Sequence, residues 1–110
     1  VHRILGPGLL ESAYETCLAY ELSQRDLAVR RQVAQPIVHE GLTLEAVYRI
    51  DLLVNDTVVV EVKAIDTLLP IHQAQIMTYL RLSGCRLGFL INFNAKMFRM
   101  GTGGLLFKNY

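Results

Sequence analysis

A chain of 110 residues has material for one domain with a modest core. Its 52% hydrophobic and 19% charged residues describe a folded globule and exclude a disordered tail. Eleven basic against ten acidic residues leave a net charge of +1, which excludes a broad electrostatic footprint for nucleic acid and makes any such contact local.

No apolar run approaches the ~20 residues of a membrane span, and no signal-peptide pattern occurs, so the expectation is a cytoplasmic protein without membrane contact. Cys17 and Cys85 lack CxxC spacing and sit in apolar helical or turn surroundings, which predicts buried free thiols. The first residue is Val1 rather than Met. A single domain over residues 1–110 is therefore expected to lack a short N-terminal segment.

In chain order, residues 1–5 read as the tail of a helix stopped by Gly6-Pro7-Gly8. Residues 9–25 form a helical pattern, with Leu10, Tyr14, Cys17, Leu18, Glu21 and Leu22 at three- and four-residue steps. A strand follows over 28–39, interrupted by Pro36, which marks an edge position or a bulge. Glu40-Gly41 is a turn, 42–54 a long second strand, and Asn55-Asp56 a hairpin into a third strand over 57–65. Pro70 opens a second helix that runs to about residue 82 and closes at Ser83-Gly84. Residues 86–93, "RLGFLINF", read as an apolar fourth strand, and the Gly-rich tail leaves room for one short strand at 105–107. The order α-β-β-β-α-β predicts a single α/β (α+β) layer fold.

The third strand carries an anomaly. "VVVEVKAI" reads as buried, yet Glu61 and Lys63 share one of its faces, because residues two apart in a strand point the same way. A lone buried charge is costly unless it is paired or holds a metal. The second strand repeats the pattern, with Asp51 among Ile50, Leu52, Leu53 and Val54. Pairing residues whose numbers sum to 112 sets Asp51 opposite Glu61, which needs a three-residue loop or a two-residue turn followed by a bulge. A plain two-residue turn gives 111 and sends the carboxylates to opposite faces. With a sum of 112, one face holds Asp51, Glu61 and Lys63. Two such carboxylates repel unless a cation joins them, and hard oxygen ligands with waters are what Mg²⁺ favours. A lysine beside that site can orient or deprotonate a water and offset charge on a phosphoryl group. The alternative is a structural Asp–Lys–Glu cluster.

Asp51…Glu61-Val62-Lys63 resembles the D…(D/E)-x-K signature of the PD-(D/E)XK nuclease superfamily. Gly8-Leu9-Leu10-Glu11-Ser12-Ala13-Tyr14 is similar to the motif that names the GxxExxY family of small bacterial proteins. The likeness continues through "YRIDLLV", "VVEVKAI", "IHQAQIMTYL" and "GFLINF", nearly the whole chain. The resemblance implies a restriction-endonuclease-like core, a mixed central sheet flanked by helices. It implies metal-binding roles for Asp51 and Glu61, with the Val62 carbonyl completing that shell, and a catalytic role for Lys63. Glu11 resembles the extra carboxylate that many members aim at the metal, and Gln75 and Tyr79 resemble a Q-x-x-x-Y motif. The chain departs from the superfamily's name at Ile50, which stands where proline gives the "P".

Read from the residues alone, the helices are less specific. Glu11, Tyr14, Glu15 and Leu18 share a face, but a glutamate in a first turn also suits a helix N-terminus. His72, Gln75 and Tyr79 form one stripe, able either to contact phosphate and anchor Lys63 or to form a solvated edge with a Tyr on the sheet. His2 and His39 show no ligand spacing.

The function expected is a metal-dependent nuclease using Mg²⁺ (or Mn²⁺) on Asp51 and Glu61, acting on nucleic acid, DNA ahead of RNA. The alternative is a nucleic-acid-binding or accessory module that cuts only with a partner. Basic residues cluster at Arg25, Arg30 and Arg31 and at Lys96, Arg99 and Lys108, and a homo-oligomer is a way to assemble a larger basic groove.

Overall fold

The computed structural model of the chain describes residues 7–93 and 104–108. Helix α1 (Pro7–Ser23) leads into strands β1 (Val29–His39), β2 (Leu42–Val54) and β3 (Val58–Lys63). Helix α2 (Pro70–Ser83), β4 (Leu87–Asn92) and β5 (Gly104–Lys108) follow. The strands form one mixed sheet in the order β1-β2-β3-β4-β5, antiparallel except where β3 pairs β4 in parallel. The expected α-β-β-β-α-β order holds, and β5 extends it as a full edge strand.

Local chemistry sets the boundaries. Pro70 occupies the first turn of α2, where a missing N–H is harmless, and His72 Nδ1 accepts the Leu69 N–H at 2.9 Å. Gly84 closes the helix in the left-handed region (φ 77°), its N–H donating to the Leu80 carbonyl at 3.0 Å. Pro7 acts in the same way at α1: it lies inside the helix, not in a stop before it. Glu11 consequently sits in the second turn and not, as expected, in the first, so helix-end electrostatics do not account for it. The residues read as a preceding helix tail, His2 among them, lie outside the described residues.

Each face of the sheet has its own core. Leu53, Val59 and Leu90 pack against Ile76, Tyr79 and Leu80 of α2, and Leu52, Val60 and Val62 pack against Tyr14, Leu18 and Ala19 of α1. A fully buried Ile76 or Leu80 contributes roughly 1.5–3 kcal/mol of transfer free energy. Cys85 is buried on the α2 side, but Cys17 is exposed, contrary to expectation, because the apolar stripe of α1 runs through Tyr14, Leu18 and Leu22 and turns residue 17 outward.

The register places the two anomalous strands as the carboxylate pairing demands. β2 and β3 pair Leu52↔Val60, Leu53↔Val59 and Val54↔Val58, each summing to 112. The connection is a tight turn followed by one extra residue. Asn55 (φ 52°) and Asp56 (φ 56°) are both left-handed, the Thr57 N–H donates to the Val54 carbonyl at 3.0 Å, and Thr57 is the surplus residue before Val58. Pro36 falls within a register shift between Gln35 and Ile37 on β1, an edge strand, so both expected roles of that proline apply.

A second irregularity lies where the site forms. On β1, Val29 packs toward α1 but Val33 toward α2, although their numbers have the same parity. On β2, Tyr48 and Ile50 face α2, whereas Leu52 and Val54 face α1. Both strands therefore exchange faces between these residues, at Gln32 and Asp51, and this pair is missing from a ladder that is otherwise continuous from Arg31↔Leu52 to Val33↔Ile50. Tyr48 and Ile50 therefore lie on the α2 side, and Leu52, Val60 and Val62 on the α1 side.

Candidate active site

At the crossing point Asp51 connects to both neighbouring strands. Its Oδ2 accepts the Val62 N–H at 2.8 Å, and its own N–H donates to Glu61 Oε2 at 3.4 Å. On the other side, Gln32 Nε2 donates to Asp51 Oδ1 at 3.3 Å. Asp51 also lines a cleft of about 260 Å³ beside α1, together with Glu11, Glu15, Arg31, Gln32 and Val62.

Glu61 is the costly residue of the site. It is 3% exposed, and its Oε1 is buried without a hydrogen-bond partner among the described residues. Burial, then hydrogen bonding and charge from the Asp51 side chain, push its carboxyl from 4.5 up to about 10, against the opposing pull of the Asp51 N–H and then of Lys63. The Asp51 carboxylate can bond to Glu61 only when Glu61 carries a proton, since two bare carboxylates have no donor to share. An unmet buried acceptor costs about 1–3 kcal/mol, and a native fold that keeps one needs a reason.

Lys63, Glu11 and Tyr79 lie near this pair, and among the described residues Gln75 connects to it only through Tyr79. Lys63, half-buried at the end of β3, is two residues from Glu61, and its carbonyl accepts the Phe93 N–H at 2.7 Å. Glu11 reaches from α1 to the same strand end, where its Oε2 accepts the Ala64 N–H at 3.3 Å. Tyr79 is buried on the α2 side, edge-on to Tyr48 at 5.6 Å between ring centroids, and accepts a bond from Gln75 Nε2 at 3.1 Å. Burial, followed by the nearby Glu61 charge, pushes its hydroxyl up to about 12. His72 serves the helix start, and His39 ends β1 before the Glu40-Gly41 turn.

Three residues that the sequence did not single out for the site belong to it. Glu15 is buried, and its Oε2 accepts from Arg31 Nε (3.1 Å) and Nη2 (2.9 Å). Its Oε1 accepts from Gln32 Nε2 at 2.6 Å. The i, i+4 spacing of Glu11 and Glu15 was the available signal; nothing local marked Arg31 or Gln32. Asn92 also lay unnoticed inside an apolar strand, and it is buried with its amide bonded to Ile65.

A family model described as the PD-(D/E)XK nuclease superfamily matches residues 1–102. The chain belongs to the PD-(D/E)XK nuclease superfamily. No curated protein matches it closely enough to count as a relative. Among solved structures, a chain titled "Crystal structure of SSO0001" aligns with a TM-score of 0.69 at 19% identity, over 93% of this chain. This chain spans 52% of that one, and the likeness is one of fold. The superfamily assignment accords with the restriction-endonuclease-like core, a mixed sheet between two helices.

The donor set suits a cation of the kind these nucleases generally use. Among the described residues, no three His, Cys, Asp or Glu side chains converge into a cage. Two adjoining carboxylates, one with an unpartnered oxygen, fit a hard ion that keeps several waters. No helix among the described residues is long and apolar enough to cross a membrane.

Proposed function

We propose that the chain is a divalent-cation-dependent nuclease hydrolysing phosphodiester bonds of nucleic acid, with DNA ahead of RNA. One observation carries the reading: Glu61 is a buried carboxyl with an unpartnered oxygen, pressed against Asp51, two residues before a lysine. That pair is unfavourable in a metal-free fold and favourable around a cation.

Asp51 and Glu61 would hold Mg²⁺ or Mn²⁺, with the Val62 carbonyl and waters completing the shell and Glu11 bordering it. When bound, the ion would supply Lewis-acid polarisation of a phosphoryl oxygen and acidify a water. Lys63 orients the attacking water and offsets charge developing on the phosphate. Gln75 is half-buried and offers its amide to the substrate backbone. Tyr79, buried beneath it, holds Gln75 in place rather than touching substrate.

The accessory-module reading is favoured by one feature of the basic surface. Of the three arginines clustered in sequence, Arg30 pairs with Asp56 at 2.7 Å and Arg31 with Glu15 at 2.9 Å, which leaves little free positive charge there. A partner or a second copy would then supply grip. Leu87, Phe89 and Leu106 remain exposed on the α1 side of β4 and β5, with Phe89 and Leu106 directly paired, an apolar face that supports a homo-oligomer. Two cysteines that form no disulfide among the described residues suit a reducing, cytoplasmic setting for this single nuclease domain. The deciding experiment incubates the protein with single- and double-stranded DNA and RNA in Mg²⁺ or Mn²⁺, with Lys63→Ala as the control. Cleavage by wild type alone supports the enzyme; binding without cleavage supports the module.

A further inference from the structure

We propose that Gln32 is a positioning residue for this site: its amide, anchored on Glu15, fixes the orientation in which the Asp51 carboxylate meets a cation. The proposal rests on the reading of Asp51 as a metal ligand and extends it to a residue with no part in the chemistry above.

The geometry is that of a clamp. One nitrogen, Gln32 Nε2, lies 2.6 Å from Glu15 Oε1 and 3.3 Å from Asp51 Oδ1. An amide nitrogen has two protons, so it can serve both carboxylates at once, whereas its oxygen turned toward either would repel. The anchor itself is firm. Glu15 is 5% exposed, Arg31 holds its second oxygen through Nε and Nη2, and Arg31 Nη2 also donates to Thr16 Oγ1 at 2.8 Å. Both oxygens of Glu15 are therefore committed, one of them to the Arg31 guanidinium, which makes it an anchor for Gln32.

The backbone gives an independent observation. Gln32 has φ 51°, in the left-handed region that a β-strand residue other than glycine rarely enters. Its own side chain is exposed and packs in neither core, so burial of Gln32 itself does not account for that conformation. What the conformation achieves is to lift Gln32 out of the β1–β2 ladder opposite Asp51 and to turn its amide across to the carboxylate. Strain of this kind persists where the surroundings impose it, and it clusters at functional sites. The chemistry of the side chain fits as well. A lysine could bridge the same two carboxylates, but its charge would compete with a cation; a neutral amide orients Asp51 and leaves the negative charge for the metal.

The test measures Mn²⁺ affinity by calorimetry and melting temperature without metal, for wild type, Asp51→Asn, Gln32→Gly and Gln32→Asn. Glycine relieves the left-handed backbone and removes the amide. Asparagine tolerates that backbone and keeps an amide, but it is one methylene too short to span both carboxylates. Both Gln32 variants should keep or raise the wild-type melting temperature while binding Mn²⁺ about 10-fold or more weakly, the usual effect of losing a residue that orients a ligand. A purely structural role predicts affinity retained wherever the melting temperature is retained. Wild-type affinity in both Gln32 variants, with binding abolished in Asp51→Asn, overturns this inference alone. Absence of Asp51-dependent Mn²⁺ binding in the wild type overturns the metal site and the clamp together.

Discussion

Asp51 and Glu61 are each bonded into the other's strand: the Val62 N–H donates to Asp51 Oδ2 at 2.8 Å, and the Asp51 N–H donates to Glu61 Oε2 at 3.4 Å. These bonds begin where the β2–β3 pairing ends, at Leu52↔Val60, so two carboxyl groups stand in for the next rungs of a sheet. Neither acid is free to retreat into water, and Glu61 is buried. The fold thus keeps an electrostatically unfavourable pair near its centre, and its behaviour toward pH and cations follows.

The first consequence is a stability that falls as pH rises. Glu61 titrates at about 10 in the folded chain against 4.5 for the ordinary group. Between those values the folded state holds a proton that the unfolded chain has released. The stabilisation is whole below the unfolded value and is lost progressively as pH climbs toward the folded one, by at most about 1.4 kcal/mol per pH unit. Without metal, the melting temperature should decline from about pH 5 to about pH 9. Glu61→Gln, neutral at every pH, should flatten the decline and melt above wild type in mildly alkaline buffer, by roughly 4–8 °C per kcal/mol gained. Parallel profiles for the two proteins would assign the pH dependence to another group.

Cation binding should reverse that penalty. A ligating carboxylate must be deprotonated, so Mn²⁺ binding near neutral pH should release about one proton as Glu61 gives up its own. Calorimetry in two buffers of different ionisation enthalpy reads that proton directly. Asp51→Asn should lose the binding and the proton release together. Binding with no proton released would place the ion away from Glu61.

How much of this was legible in the chain can be traced residue by residue. Parity arguments narrowed the hairpin to two registers, and the left-handed pair Asn55-Asp56 with the surplus Thr57 selects the one that unites Asp51 and Glu61. The exchange of faces at Gln32 and Asp51 was hidden, because glutamine carries no preference for the left-handed region and alternation is read within a strand, not across an interruption. Asn92 was hidden by its apolar neighbours: a side chain that completes backbone hydrogen bonding leaves no periodic trace. α1 starts at Pro7, two residues before the expected Leu9, because proline both stops helices and opens them, and only the sequel distinguishes the two.

Lys63 contributes at a different stage from the acids. On the proposed reading its ammonium would act on the water and on charge developing during cleavage, not in the ion's coordination shell. Lys63→Ala should therefore lower kcat by ~10²-fold or more while leaving Mn²⁺ affinity close to wild type. Single-turnover assays at saturating metal separate the two effects. Retained cleavage in this variant would trace the activity to a contaminant or to another site.

Asn92 extends the parallel β3–β4 contact past its last pair, Lys63↔Asn92, and tethers the chain just beyond Lys63. Asn92 Oδ1 accepts the Ile65 N–H at 3.0 Å, and Nδ2 donates to the Ile65 carbonyl at 2.9 Å, from a side chain that is 5% exposed. Both polar edges of one amide therefore hold the chain two residues after Lys63, in the manner of a strand neighbour. Asn92→Leu keeps a similar volume and removes both bonds, so it should cost roughly 2–4 kcal/mol in urea unfolding, near the sum of two buried hydrogen bonds and the desolvation they offset. Asn92→Asp retains only the acceptor side and should fall between Asn92→Leu and wild type at a pH where the carboxylate is charged. Because the tether acts on the strand end and not on Asp51 or Glu61, Asn92→Leu should reduce cleavage by more than it reduces Mn²⁺ affinity. A loss of stability below about 0.5 kcal/mol would mean that water replaces both bonds and that Lys63 is held by β3 alone.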